Sequence, residues 1–241
     1  MSSPTSPRCQ RCGHLFQASD KFCAECGAFL RDAHIDQRLL LSLVHEQEGD
    51  RDQARRELER ILEAEPDHVL ANHLLGALLF RQGVLDVAVK HYERALSKAP
   101  RFARAWYDLG VAHYHRGDMP AAVEAYRRCL GADPHSNAAH YRMAIALFHA
   151  GELDQALNEF EQAIMLTPDY LMAHYHMGVI HERRGDIEAA KRAFERSQEE
   201  AVGEVSSLYH MALLKRAEGD DKAADEYLRR ARDFGVQKTA R

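Results

Sequence analysis

Ala103-Arg-Ala-Trp106-Tyr107-Asp-Leu109-Gly110-Val-Ala-His113-Tyr114-His-Arg-Gly117-Asp118-Met-Pro120-Ala-Ala122-Val-Glu-Ala-Tyr126-Arg-Arg-Cys129-Leu-Gly-Ala-Asp-Pro134 is the stretch that decides the fold. Apolar residues recur three and four apart on both sides of Gly117-Asp118, which is the period of a helix face. The Gly-Asp pair interrupts that period and Pro134 ends it, so the stretch predicts two short helices joined by a tight turn. Working outward, the pattern returns every 34 residues, marked by Gly49, Gly83, Gly117, Gly151, Gly185 and Gly219. Ala54, Ala88, Ala122, Ala156, Ala190 and Ala224 keep the same step, as do Pro66, Pro100, Pro134 and Pro168. One supersecondary unit is therefore repeated six times, each copy burying its apolar face against its neighbours.

The length, the step and the Trp106, Leu109-Gly110, Tyr114, Ala122, Tyr126 and Pro134 columns resemble the tetratricopeptide-repeat family. The resemblance covers residues 35–238 in six repeats: 35–68, 69–102, 103–136, 137–170, 171–204 and 205–238. It implies an all-α, right-handed superhelical solenoid of six helix pairs, with residues 239–241 as a tail and the segment from Gly235 frayed. Leu41, Leu75, Leu109, Met143, Met177 and Met211 are expected to face the partner helix. Gly76, Gly110 and Gly178, with Ser42, Ala144 and Ala212 as substitutes, let two helices cross closely. Tyr92, Tyr126, Phe160 and Phe194 fill the gap to the next unit. Pro120 opens a second helix, where its missing N–H costs nothing. The first repeat is irregular, with Arg38, Ser42 and Leu58 in place of an aromatic, a glycine and a large ring. The fifth has Val202-Gly203 where the others close with proline.

Residues 1–7 (Met1-Ser-Ser-Pro-Thr-Ser-Pro) read as a disordered tail and residues 31–34 as a linker. Between them lie Cys9-Gln-Arg-Cys12-Gly13 and Phe22-Cys23-Ala-Glu-Cys26-Gly27. Two residues between paired cysteines let one turn aim both sulfurs at one ion, and the glycine after each pair admits positive φ. Four thiolates make a closed tetrahedral site that suits zinc, although iron takes the same ligands and a Cys-x-x-Cys pair alone can be a redox dithiol. The segment resembles the short zinc-ribbon family over residues 8–30. That implies one structural Zn²⁺ on Cys9, Cys12, Cys23 and Cys26, with Phe16, Phe22 and Phe29 packed beside it.

The resemblance places the first helix of each repeat along a concave face. Projected there, Tyr107, Tyr141, Tyr175 and Tyr209 form a ladder, with His73 one repeat earlier. Phe80, Tyr114 and Phe148 form a second row. Arg81, His115, His149 and Arg183 form a third, with Arg142 and Arg104 nearby and Asp108 and Glu182 as acidic exceptions. Tyrosine and arginine bury large area while keeping a polar tip, so this groove predicts binding of a protein or peptide segment with apolar anchors and some acidic residues. The lysine and asparagine that chaperone-cofactor repeats use to hold a C-terminal carboxylate are missing: Leu39, His73, Tyr107 and Tyr141 fill one column, Leu43, Ala77, Val111 and Ile145 the other.

The remaining features exclude more than they assign. The net charge is −5, which gives no bulk attraction to nucleic acid or anionic membrane. No apolar run approaches the ~18 residues of a membrane span. No charged start leads into an apolar stretch as in a secretory leader. Paired cysteines fit a reducing compartment, so the expected location is cytoplasmic. Fifteen histidines invite a catalytic reading, but His45, His113, His140, His174 and His181 fall in aromatic columns and read as packing. Because an imidazole titrates near 6.5, His115 and His149 would make groove affinity sensitive to pH. No phosphate loop, nucleophile elbow or zinc-protease helix is present, and Cys129 falls in a packing column. The expectation is a non-enzymatic adaptor or scaffold. The alternative is a nucleic-acid-binding or transcription-related factor whose cysteine module makes the contact and whose repeat array serves as a partner platform. Against that, the module carries only Arg8, Arg11, Lys21 and Arg31 to oppose Asp20 and Glu25.

Overall fold

The structure is a computed structural model that describes residues 8–9, 12–15, 23–27, 37–168, 170–197 and 204–239. The calls made on the tail 1–7, on Phe16, Phe22 and Phe29, on the linker 31–34 and on Val202-Gly203 lie outside these residues. Two compact units divide the chain, residues 1–134 and 135–241. The first holds α1 (Gln37–Gln47), α2 (Arg51–Ala64), α3 (Val69–Arg81), α4 (Leu85–Lys98), α5 (Ala103–His115) and α6 (Met119–Ala132). The second holds α7 (Asn137–Ala150), α8 (Leu153–Leu166), α9 (Leu171–Arg184), α10 (Ile187–Ser197), α11 (Glu204–Ala217) and α12 (Asp221–Thr239). Within each unit every odd-numbered helix packs on the even one that follows. The pairs then stack through α2–α3 and α4–α5 in the first unit, and through α8–α9 and α10–α11 in the second.

The backbone of each hairpin turn is built the same way, while the side-chain cap is absent at α4 and α8. Gly117 takes φ 81°, and the N–H of Asp118 donates back to the carbonyl of His113 at 3.0 Å, closing α5. Only glycine adopts that left-handed conformation without strain. The Asp118 side chain then accepts the N–H of Ala121 at 3.1 Å and caps α6, and Asp50 and Asp220 do the same for α2 and α12. The Gly-Asp dipeptide thus ends one helix and starts the next, and a carboxylate at a helix N-terminus is favoured by the helix dipole as well.

The cores follow the columns. All six column alanines, from Ala54 to Ala224, are at most 1% exposed, as the close crossing of two helices requires. Tyr92, Tyr126, Phe160 and Phe194 are likewise buried. A methyl group added at Gly110 would lie 2.6 Å from Cε1 of Tyr126, so that glycine exists to admit the ring.

Two expectations are corrected. Leu41 is 41% exposed, whereas Leu75 and Leu109 in the same column are 3% and 4%. In later repeats a preceding helix pair packs on the first helix, and among the described residues none precedes α1. Leu39 and Ser42 are instead the buried residues of α1, the Ser42 hydroxyl donating within the helix to the Leu39 carbonyl at 2.7 Å, and Arg38 reaches across the hairpin to the buried Glu57 at 3.0 Å. At the other end the chain is helical through Gly235 to Thr239, not frayed. Val236 stands where Pro66, Pro100, Pro134 and Pro168 follow the second helices of the first four repeats, and one glycine costs a helix only about 1 kcal/mol.

Candidate functional site

In the first unit the ladder is a web of rings and charges joining successive repeats. His73 Nε2 lies 2.8 Å from Asp108 Oδ2, and Arg104 donates to the same oxygen at 2.9 Å. Arg104 also lies over the Tyr107 ring, 5.6 Å from its centre. That charge-assisted bond and the Asp108 charge raise the pKa of the Arg104 guanidinium. His73 packs against Phe102 with ring centres 4.9 Å apart. Phe80 meets His115 edge-on at 5.3 Å, Tyr114 does so at 5.7 Å, and Arg81 is ion-paired with Glu46.

The second unit carries the denser aromatic cluster. Tyr141 meets Tyr170 edge-on at 4.7 Å and Phe160 at 5.7 Å. His176 lies flat on Phe160, ring centres 5.5 Å apart and planes within 5°, with Tyr175 at 5.2 Å and Phe148 at 6.1 Å. Burial pushes the His176 pKa down to about 4, with a smaller push from the charge of His149, so this ring is neutral near pH 7. Arg183 covers the Phe148 face at 4.5 Å, a cation–π contact. Phe148 also meets His149 edge-on. The next repeat copies the motif: His210 stacks on Phe194 at 4.9 Å, meets Tyr175 at 5.9 Å and bonds Glu182 at 2.8 Å. Tyr209 is 55% exposed, and Arg142 is exposed beside Tyr141 in sequence.

Of the thirteen groove residues, six lie in the first unit and seven in the second. The acidic exceptions are consumed internally, Asp108 by His73 and Arg104, Glu182 by His210. The expected basic edge is reduced in turn: Arg81 and Arg104 are ion-paired and Arg183 lies on a ring. Four contributors escaped the sequence reading. Phe102 and Tyr170, each just ahead of a first helix, share a 34-residue column with His68 and Ser136. His176 and His210 share another with Asp108 and Arg142. Aromatic enrichment in columns flanking the tyrosines was the available signal. The five histidines expected to pack (His45, His113, His140, His174 and His181) are all half-buried. His140 bonds Glu159 at 2.7 Å, and burial lowers the pKa of His113. Cys129 is buried and its thiol is pushed up to about 12.

The four paired cysteines converge. Cys9 and Cys26 sulfurs lie 3.7 Å apart, Cys12 and Cys23 sulfurs 3.4 Å, and all four lie within 4.8 Å of one another. A disulfide needs about 2.05 Å, whereas a tetrahedral ion with bonds of about 2.3 Å sets its sulfurs about 3.8 Å apart. The donor set therefore fits a tetrahedral metal. Gly13 and Gly27 take φ 75° and 70° and donate to the carbonyls of Cys9 and Cys23 at 2.8 and 2.9 Å, so each knuckle turns under its own sulfurs. Arg8 and Leu15 pair in an isolated antiparallel bridge.

Two family models, both described as tetratricopeptide repeat, match the sequence, one over residues 39–89 and 79–137 and the other over 115–169 and 147–216. A search among curated proteins found no significant match. Among solved structures, MamA from Desulfovibrio magneticus RS-1 is 20% identical, with 69% of this chain and 96% of that chain covered and a TM-score of 0.64. PilF of Pseudomonas aeruginosa is 19% identical (79% and 86% covered, TM-score 0.66). YrrB, described as a TPR protein with an unusual peptide-binding site, is 19% identical (73% and 91% covered, TM-score 0.63). These likenesses are of fold.

Proposed function

Because the chain belongs to the tetratricopeptide-repeat family, we propose that it is a non-catalytic adaptor that holds a segment of another protein against its aromatic ladder. The observation that carries this reading is the second-unit cluster. Tyr141, Tyr170, Tyr175 and Phe148 are all half-buried, their rings fixed by Phe160 and His176 behind them. Pre-ordered rings with exposed edges bury large area at little entropic cost, which is what interface anchors do. The YrrB likeness agrees with a peptide occupant. Because Arg81 and Arg104 already have acidic partners, apolar and aromatic side chains of the segment dominate recognition and acidic residues contribute at the rim. The cysteine module holds one structural Zn²⁺ on Cys9, Cys12, Cys23 and Cys26; with four thiolates bound, the ion keeps no open position for chemistry. Paired thiols at metal-ligand spacing agree with a reducing compartment and so with a cytoplasmic location, and among the described residues no helix is long and apolar enough to cross a membrane.

The test is affinity capture with mass spectrometry, using immobilised full-length protein and a Tyr141→Ala, Tyr175→Ala double variant. Loss of a specific captured protein from the variant, with helicity unchanged, supports the ladder as binding face. Identical capture by both refutes it.

A further inference from the structure

The two cysteine knuckles are chemically alike but differently placed. A methyl group built on Gly13 would meet nothing within 4 Å. One built on Gly27 would stand 2.6 Å from Cγ of Phe102, 2.7 Å from Cδ1 and 3.0 Å from Cδ2. Gly27 is buried, and so are Cys23 and Cys26, whereas Cys12 of the first knuckle is half-exposed. The second knuckle therefore rests its glycine directly on the Phe102 ring. Phe102 in turn is the ring packed on His73, the ladder residue of the second repeat.

We propose that the second knuckle is a built-in occupant of the ladder. It covers Phe102 and closes the strip formed by Phe102 and His73, so that an external segment has to displace it there. Exposure agrees: Phe102 is 7% exposed and His73 9%, whereas Tyr209 at the other extreme of the column is 55% exposed. The contact also accounts for the residue. Positive φ alone would tolerate asparagine at position 27, because asparagine enters the left-handed region at modest cost. The Phe102 ring leaves room for no side chain at all. A bound metal would fix the knuckle in the shape that presents Gly27 to the ring. The consequence for partner binding rests on the ladder being the binding face; the docking itself does not.

The experiment compares Gly27→Asn with Gly13→Asn in full-length, metal-loaded protein by hydrogen–deuterium exchange. Both substitutions impose the same backbone demand, and only one meets Phe102. Gly27→Asn is expected to raise exchange severalfold at residues 69–76 and 102–109, while Gly13→Asn matches wild type there. Phe102→Ala provides the reciprocal reading, with exchange and chelator capture of the metal rising severalfold at residues 8–27 although every thiolate is retained. Equal exchange in the two asparagine variants, or cysteine-module exchange and metal capture unchanged by Phe102→Ala, overturns the docking. Neither readout involves a partner, so failure of the Tyr141→Ala, Tyr175→Ala capture test leaves this result standing, and the reverse.

Discussion

Replacing His176 by phenylalanine should abolish one specific part of the protein's acid sensitivity. The ring lies flat on Phe160 among Tyr141, Phe148 and Tyr175, so phenylalanine keeps the stacking and removes only the titration. Burial holds the folded-state pKa at about 4, against about 6.5 in the unfolded chain. Between those values the unfolded state binds more protons than the folded state, so stability falls as pH drops through 6.5 and levels off below 4. Linkage over that shift gives a loss of about 2 kcal/mol at pH 5 and only about 0.2 kcal/mol at pH 7. The difference, about 1.8 kcal/mol, moves a urea midpoint by roughly 1 M for a slope of ~1–3 kcal/mol/M. The assay is urea unfolding followed by helical circular dichroism at pH 7 and pH 5 for both proteins. His91 and His113, also depressed by burial, and the carboxylates contribute equally to both and cancel. Wild type should lose about 1.8 kcal/mol more than His176→Phe on going from pH 7 to pH 5. Equal losses would refute the claim that this ring is held neutral by its aromatic pocket.

Two further outcomes test the packing and the cysteines. Gly110→Ala should destabilise the first unit by up to about 2 kcal/mol in urea unfolding. Pushing the buried Tyr126 ring aside costs about 1–3 kcal/mol, offset by about 1 kcal/mol of better helix propensity; a stabilised variant would show that the ring moves freely. Elemental analysis should find about one zinc per chain, absent from Cys23→Ser. After stripping under native conditions, Ellman's reagent should modify four of the five thiols and spare Cys129, whose pKa of about 12 leaves it essentially un-ionised at pH 8. Metal-free folded protein, or five reactive thiols in the native state, would contradict the reading.

The features legible in the sequence are those a single column decides. Gly117 must turn, Asp118 must cap, Ala122 must let a helix pass, and each task depends on one position and its own hairpin. What escaped depends on pairs drawn from different columns of successive repeats. His73 reaches Asp108, Arg81 reaches Glu46, and His176 lies on Phe160. No single column predicts them, because the partner occupies a different place in its own repeat. The expected basic edge gives up Arg81 for this reason, since Glu46 of the preceding repeat reaches it. Leu41 failed for a related one, since its column is buried only when another hairpin precedes it.

This difference between columns and pairs bears on where a partner binds. Both units contain the same device, an aromatic ring just ahead of a first helix packed against the preceding repeat's ladder residue. It is Phe102 on His73 at 4.9 Å in the first unit and Tyr170 on Tyr141 at 4.7 Å in the second. In the first, both members are buried and Gly27 lies on the ring; in the second, both are half-buried. The repeat backbone is the same at both copies, so the contrast lies in the side chains and in what covers them: His73 is tied to Asp108, and Gly27 lies on Phe102. At the first copy the chain supplies part of that cover itself, through Gly27. An apolar ring covered by the chain's own glycine marks a surface that gains from being covered. The Tyr141–Tyr170 pair presents the corresponding ring edges with the polar tip that tyrosine adds. An incoming segment that places a small or flat apolar residue on Tyr170, as Gly27 is placed on Phe102, would bury the same kind of surface there. The second unit is therefore where partner-binding variants should have their largest effect.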